Sequence, residues 1–238
     1  MTITHFLPFV STAVTLLFAA MVFNRYLKGR RWYTLMWSLG LFLYGAGTFA
    51  EAYLALVWSD VLLRVWYLAG AMLTAAWLGQ GTVYLLVRRQ GVAHGFAVGL
   101  LIASLLAVGL VFSVPLDASK FALHMPLSTQ YKSIMFDRPA LMIVLTILLN
   151  IYGTITLVGG AAYSAWLFWR KQVLSNRMWG NVLIAVGALF PAGAGTLIRL
   201  GLADWLYLSE LLGAILMFAG FWLAVQPQPA EQAIPATA

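Results

Sequence analysis

The sequence predicts an all-α integral membrane fold of seven transmembrane helices, and three observations predict it. Of 238 residues, 63% are hydrophobic and only 9% are charged, whereas a soluble domain carries about a quarter charged residues. A soluble globule of this length exposes too much of its surface to hide so many apolar side chains. The apolar residues fall in seven long runs, at about 6–23, 32–56, 61–87, 95–114, 139–169, 179–200 and 205–225. Each approaches the roughly 20 residues that cross a hydrocarbon core about 30 Å thick. The cations between the runs alternate with side, as the positive-inside rule requires.

The first run has no basic residue before it and Arg25, Lys28, Arg30 and Arg31 after it. Those flanks predict an uncleaved helix with its N-terminus outside, not a signal peptide. The second run carries Tyr44, Thr48 and Glu51 at helical spacing. The third carries Arg64, Tyr67, Ala71 and Thr74 on one face and ends at Arg88 and Arg89. The fourth has no charge within it. Residues 115–138 form a long outer loop of mixed character, with Phe121, Met125, Tyr131 and Met135. A loop of that length acts as a lid, a binding element or a short surface helix. The fifth run contains Asn150 and is followed by Arg170, Lys171 and Arg177; the sixth contains Phe190, Pro191 and Arg199; the seventh contains Tyr207 and Glu210. The tail, QPQPAEQAIPATA, has a disordered composition.

This topology puts nine cations and Glu231 on the cytoplasmic side, and five cations and six acids outside or near the outer helix ends. The net charge of +7 is therefore loop charge, and no basic face with interleaved aromatics tracks a nucleic acid. Cysteine is absent, which excludes disulfides and thiolate chemistry. His5, His94 and His124 lie outside the runs and share no helix face, so a haem or metal site in the membrane is not expected.

The chain also repeats. Gly45-Ala46-Gly47-Thr48 recurs 148 positions later as Gly193-Ala194-Gly195-Thr196, with Phe42 mapping on Phe190 at the same offset. Gly70-Ala71 recurs as Gly213-Ala214, 143 positions on. The reading is a 3+1+3 parallel repeat of halves 6–90 and 139–225, with 95–114 as linker helix. Small residues recurring for helix packing alone are the plainer explanation.

Ionisable residues inside spans mark function by default, because each is costly unless paired. Four qualify: Glu51, Arg64, Arg199 and Glu210. Glu51 aligns with Arg199 at offset 148, so each half holds one acid and one base in reversed order. Two interhelical salt bridges would make the quartet a structural clamp. A vestibule open to the outer side, with Glu210 as its deepest acid, would make it a ligand or gating site with Tyr67, Thr74, Tyr207, Asn150, Phe190 and Pro191. Asn150 and Gln80 also suit interhelical hydrogen bonds. Trp66, Trp77 and Trp222 lie deep enough to line a pocket. No nucleophile–base pair is visible, so catalysis is not expected.

Asn181-Val182 followed by Phe190-Pro191 resembles the sixth helix of microbial rhodopsins, whose proline kinks the helix against retinal. Arg64 and the Arg30-Arg31-Trp32-Tyr33 entry to the second helix are similar to that family as well. Glu210 matches the acid that the family places four residues before its Schiff-base lysine, but that lysine position is Ala214 here. No lysine lies in any run, so covalent retinal is excluded. The resemblance implies the seven-helix fold and a central cavity only.

These readings lead to a multipass protein of the inner cell membrane. It binds or transports a small or lipophilic molecule between its two three-helix halves. The alternative is a non-catalytic subunit that docks other membrane proteins or its own copies. No cofactor is expected beyond a non-covalent pigment or lipid.

Overall fold

The computed structural model describes residues 6–123, 125–171, 175–200 and 205–226, apart from the side chains of residues 90 and 194–199. Eight helices and no strand are found among the described residues: α1 Leu7–Gly29, α2 Trp32–Leu54, α3 Asp60–Leu86, α4 Gln90–Ser113, α5 Leu127–Ile134, α6 Ala140–Lys171, α7 Ser175–Arg199 and α8 Trp205–Val225. Each of the seven apolar runs coincides with a long helix. Five of these, α1, α3, α4, α6 and α8, are long and apolar enough to cross a membrane, the mark of a multipass membrane protein. At 23 residues α2 has the length but a more polar composition; α7 has 25 residues, and the side chains of residues 194–199 within it lie outside the described residues. His5, His124, Asp204 and the tail lie outside the described residues.

Local signals explain where the helices begin and end. Arg30 stops α1 in the left-handed region (φ 49°), and its N–H returns to the Tyr26 carbonyl at 2.7 Å, a common C-terminal stop. The Ser59 side chain accepts from the Leu62 N–H and caps α3, with Asp60 in the first turn. Two helices contain a π-helical stretch, Trp66–Leu73 in α3 and Ile155–Gly159 in α6. Such insertions widen a helix locally and free backbone groups for other partners. The Ala71 carbonyl, inside the first stretch, accepts from Asn150 Nδ2 of α6 at 2.7 Å.

The chain packs as a ring in which α1 meets α2 and α8, α2 meets α3, α3 meets α6, α6 meets α7, and α7 meets α8. The remaining long helix, α4, lies outside the ring against α3 and α6. Small residues let these helices approach closely, as in membrane helices generally. A Cβ on Gly47 of α2 would stand 2.9 Å from the Gly70 Cα of α3, and one on Gly153 of α6 would strike the Ala75 carbonyl carbon of α3. At the described pairs of the repeat the contacts differ, and Gly195, the counterpart of Gly47, lies outside the described side chains. Gly45 is packed on Leu16, whereas its counterpart Gly193 has open space; Gly70 meets Gly47, whereas Gly213 meets Gly187 and Pro191.

Residues 115–138 fold back onto the bundle. Leu127, Ile134 and Met135 are buried in the main core with Trp58, Trp66 and Tyr131 beside them. Gln130 fastens the turn: its Nε2 donates to the Ala122 and Met125 carbonyls, and its Oε1 accepts from the Ala122 N–H. Asp117 accepts from the Ser119 N–H and hydroxyl, which hold its carboxyl below the ordinary carboxylate range.

Candidate functional site

A cavity of about 380 Å³ opens inside the ring at the end covered by α5. Volumes of this order hold small molecules. Its walls come from α2, α3, α6, α7 and α8, and both π-helical helices face it. Most of the lining is apolar, including Leu78, Leu157, Ala188 and Met217. Its polar groups gather near Glu51 and Glu210.

Helix geometry places these groups. On α2, Tyr44, Thr48 and Glu51 lie about one turn apart and share a face; all three are buried and line the cavity. Tyr44 donates to the Glu210 backbone carbonyl at 2.8 Å and so fastens α2 to α8. Thr48 accepts from Thr12 of α1 at 3.1 Å. Glu210 lies five residues beyond the start of α8 at Trp205, and its carboxyl meets that of Glu51 within hydrogen-bonding reach. The Trp66 indole, on the π-helical stretch of α3, also reaches Glu51. A hydrogen bond between two carboxyls requires a proton on one of them.

The cavity also gathers polar atoms that lack partners. Glu51 Oε1, Glu210 Oε2 and Ser128 Oγ are buried without a hydrogen-bond partner among the described residues, and all three residues line it. Native proteins seldom leave buried polar groups unpaired. Above them α5 contributes Ser128, Tyr131 and Lys132, and the Tyr131 ring lies 5.6 Å from that of Trp66.

Of the expected charge quartet, Arg64 stands apart from both acids, and the Arg199 side chain lies outside the described residues. Arg64 points away from the cavity: its Nη1 donates to the Val111 carbonyl of α4, and its guanidinium lies over the Phe112 ring at 5.7 Å. The Arg64 cation is thus satisfied by a carbonyl and a ring, while Glu51 meets a second acid. Thr74, Asn150 and Pro191 line the cavity as expected. Thr74 donates to the Ala69 carbonyl at 2.8 Å, and Asn150 is held by the Ala71 and Thr146 carbonyls. Tyr67 turns to Thr146 at 3.3 Å and, with Tyr207 and Phe190, is not part of the lining. Among the tryptophans, Trp66 faces the cavity, Trp77 is buried on Ser104 of α4, and Trp222 is half exposed.

Ser128 and Lys132 were not among the residues expected at the site. The signal for them lies in the loop: Leu127, Tyr131 and Ile134 follow the i, i+4, i+7 spacing of a short amphipathic helix, which directs the next residues over the mouth. No metal-binding group of three or more His, Cys, Asp or Glu is present among the described residues. No protein-family model, curated protein or solved structure matches the chain.

Proposed function

We propose that this is a seven-span membrane protein, N-terminus outside and C-terminus in the cytoplasm, that binds a small, largely apolar molecule in the cavity beneath α5 and passes it between the membrane and the outer side. The observation that carries this reading is the convergence of three unpartnered buried polar atoms, from α2, α5 and α8, on one cavity. A clamp would have paired them. The orientation is supported by charge: Arg25, Lys28, Arg88, Arg89, Arg170 and Lys171 all fall at the bundle end opposite α5. The lengths of α2 and α7 support seven spans, because helices of 23 and 25 residues reach roughly 35 Å at 1.5 Å per residue.

The test is native mass spectrometry of the full chain released from mild detergent, with an absorption spectrum of the same sample. A co-purified small molecule that is lost when Ala71→Trp fills the cavity supports the reading. A partner chain retained at fixed ratio, with no small molecule and no effect of A71W, would assign the protein to membrane-complex assembly instead.

A further inference from the structure

We infer that the cavity takes a protonated organic amine, its ammonium set between Glu51 and Glu210 and its apolar body against the deeper lining, in exchange for the proton that the two carboxyls share. The inference rests on the ligand-binding reading above and specifies its chemistry.

Three features point to a cation with an apolar body. The deepest charged groups in the cavity are two acids from different helices, and no basic side chain is interposed between them among the described residues. Glu51 is only 3% exposed; its Oε1 and the Oε2 of Glu210 are buried without a partner, and both residues line the cavity. An ammonium carries three donors and no acceptor, so it satisfies both orphan oxygens at once, with the orphan Ser128 hydroxyl able to accept the third. The rings of Trp66 and Tyr131 beside the pair offer cation–π faces. An inorganic cation would need a closed shell of oxygen ligands, whereas most of this lining is hydrocarbon.

The exchange balances. A carboxyl pair that shares one proton carries one negative charge. The arriving ammonium takes the place of that proton, which leaves to solvent. The pair then carries two negative charges and the ligand one positive, so the site's charge is unchanged. Tyr44 from α2 and Tyr131 and Lys132 from α5 are the other titratable groups lining the cavity. The lining from α3, α6 and α7, namely Trp66, Thr74, Asn150, Thr154 and Pro191, does not titrate. Lys132 is exposed at the mouth, and the Arg199 side chain of α7 lies outside the described residues.

The experiment uses the full chain in lipid nanodiscs and three probes with one carbon skeleton: 4-phenylbutylamine, 4-phenylbutanol and 4-phenylbutyrate. Isothermal titration calorimetry in buffers of different ionisation enthalpy measures affinity and protons released together. The amine should bind at least about tenfold more tightly than the alcohol or the acid, releasing about one proton. Glu51→Gln and Glu210→Gln should each abolish the release, weaken the amine about tenfold and narrow its preference over the alcohol. Helical circular dichroism of each variant checks that it is folded. Equal affinity for amine and alcohol, or no proton release, would overturn the amine assignment and leave the cavity reading standing. Displacement of the amine by sodium at equal concentration would assign the pair to an inorganic ion and overturn it as well. Failure of all three probes to bind would overturn the cavity reading together with it.

Discussion

Two of the places where the bundle buries polar side chains are built on opposite rules. One lies around Gln80, toward the end of α3 that runs into Arg88 and Arg89. Gln80 is fully buried, its Nε2 donates to the Ala93 carbonyl of α4 at 2.9 Å, and its Oε1 accepts from the Tyr152 hydroxyl of α6. One turn away, the Trp77 indole donates to Ser104 at 3.2 Å, and Ser104 donates in turn to the Leu100 carbonyl. The other lies beneath α5, where Glu51 and Glu210 meet with an oxygen each to spare and the Ser128 hydroxyl has no partner. The first place ties α3 to α4 and α6 and closes its polar atoms on one another, while an apolar groove of about 500 Å³ runs past Tyr152 and Leu100. The second encloses about 380 Å³. Burial of polar groups therefore does not mark a site in this protein. Incomplete satisfaction next to open volume does, because a closed network has no capacity left for a ligand.

The comparison breaks most readily at Gln80. Gln80→Leu keeps the volume but leaves the Tyr152 hydroxyl unpaired in the interior and removes the side-chain bond to the Ala93 carbonyl. Such an unpaired group costs about 1–3 kcal/mol and the lost bond adds to it, so the expected loss is about 2–4 kcal/mol. Thermal unfolding in detergent, followed by loss of helical circular dichroism, measures it. An unchanged midpoint would show that the Gln80 network is not structural.

Gln130 tests the same rule within the cap. Its amide closes three hydrogen bonds to the Ala122 and Met125 backbone. Gln130→Ala removes all three at the half-buried edge of the bundle, at a cost of about 1–2 kcal/mol confined to residues 115–138. Hydrogen exchange should speed up across α5 and leave α3 and α6 untouched. Exchange that rises evenly over all helices would mean that α5 folds with the bundle as one unit and is not a separately fastened lid.

Much of this contrast was legible in the residues. Gln80 and Asn150 suggested interhelical hydrogen bonds, because an amide in lipid must find a partner, and both make them. The helices were legible because each apolar run is long. Helix α1 continues six residues past the apolar run to Gly29, since the basic turn after Phe23 remains helical once outside hydrocarbon. The pairing of the charges was not legible. Spacing places Glu51 and Glu210 on faces of their own helices, but it does not say which helices meet, and charge balance favoured an arginine beside each acid. The π-helical stretch in α3 was equally hidden: it contains no proline, and it turns Trp66 toward Glu51 while Arg64, two residues earlier, reaches α4.

Trp77→Phe is a smaller perturbation of the satisfied side. A six-membered ring stays, while the donor to Ser104 and the rest of the indole go. Ser104 still donates to Leu100, so only one hydrogen bond is lost, at about 1 kcal/mol. The thermal midpoint should fall by less than for Q80L, and the double variant should lose less than the two separate losses combined, because Trp77 and Gln80 both fasten α3 to α4.

The smallest expected change in stability is at Glu51, and it decides between clamp and site. Were Glu51 half of a buried salt bridge, Glu51→Gln would strand its partner and cost about 3–5 kcal/mol. Here its neighbour is another carboxyl. The glutamine amide donates to Glu210 without a shared proton, and it removes one acceptor that had no partner. The shape is unchanged, so stability should stay within about 1 kcal/mol of the parent or rise slightly. Ser128→Ala should behave alike, since its hydroxyl also lacks a partner. Both are read from the same unfolding curves as Q80L. A loss at Glu51 as large as that at Gln80 would mean that a cation already holds the acid pair, and the two polar places would then follow one rule.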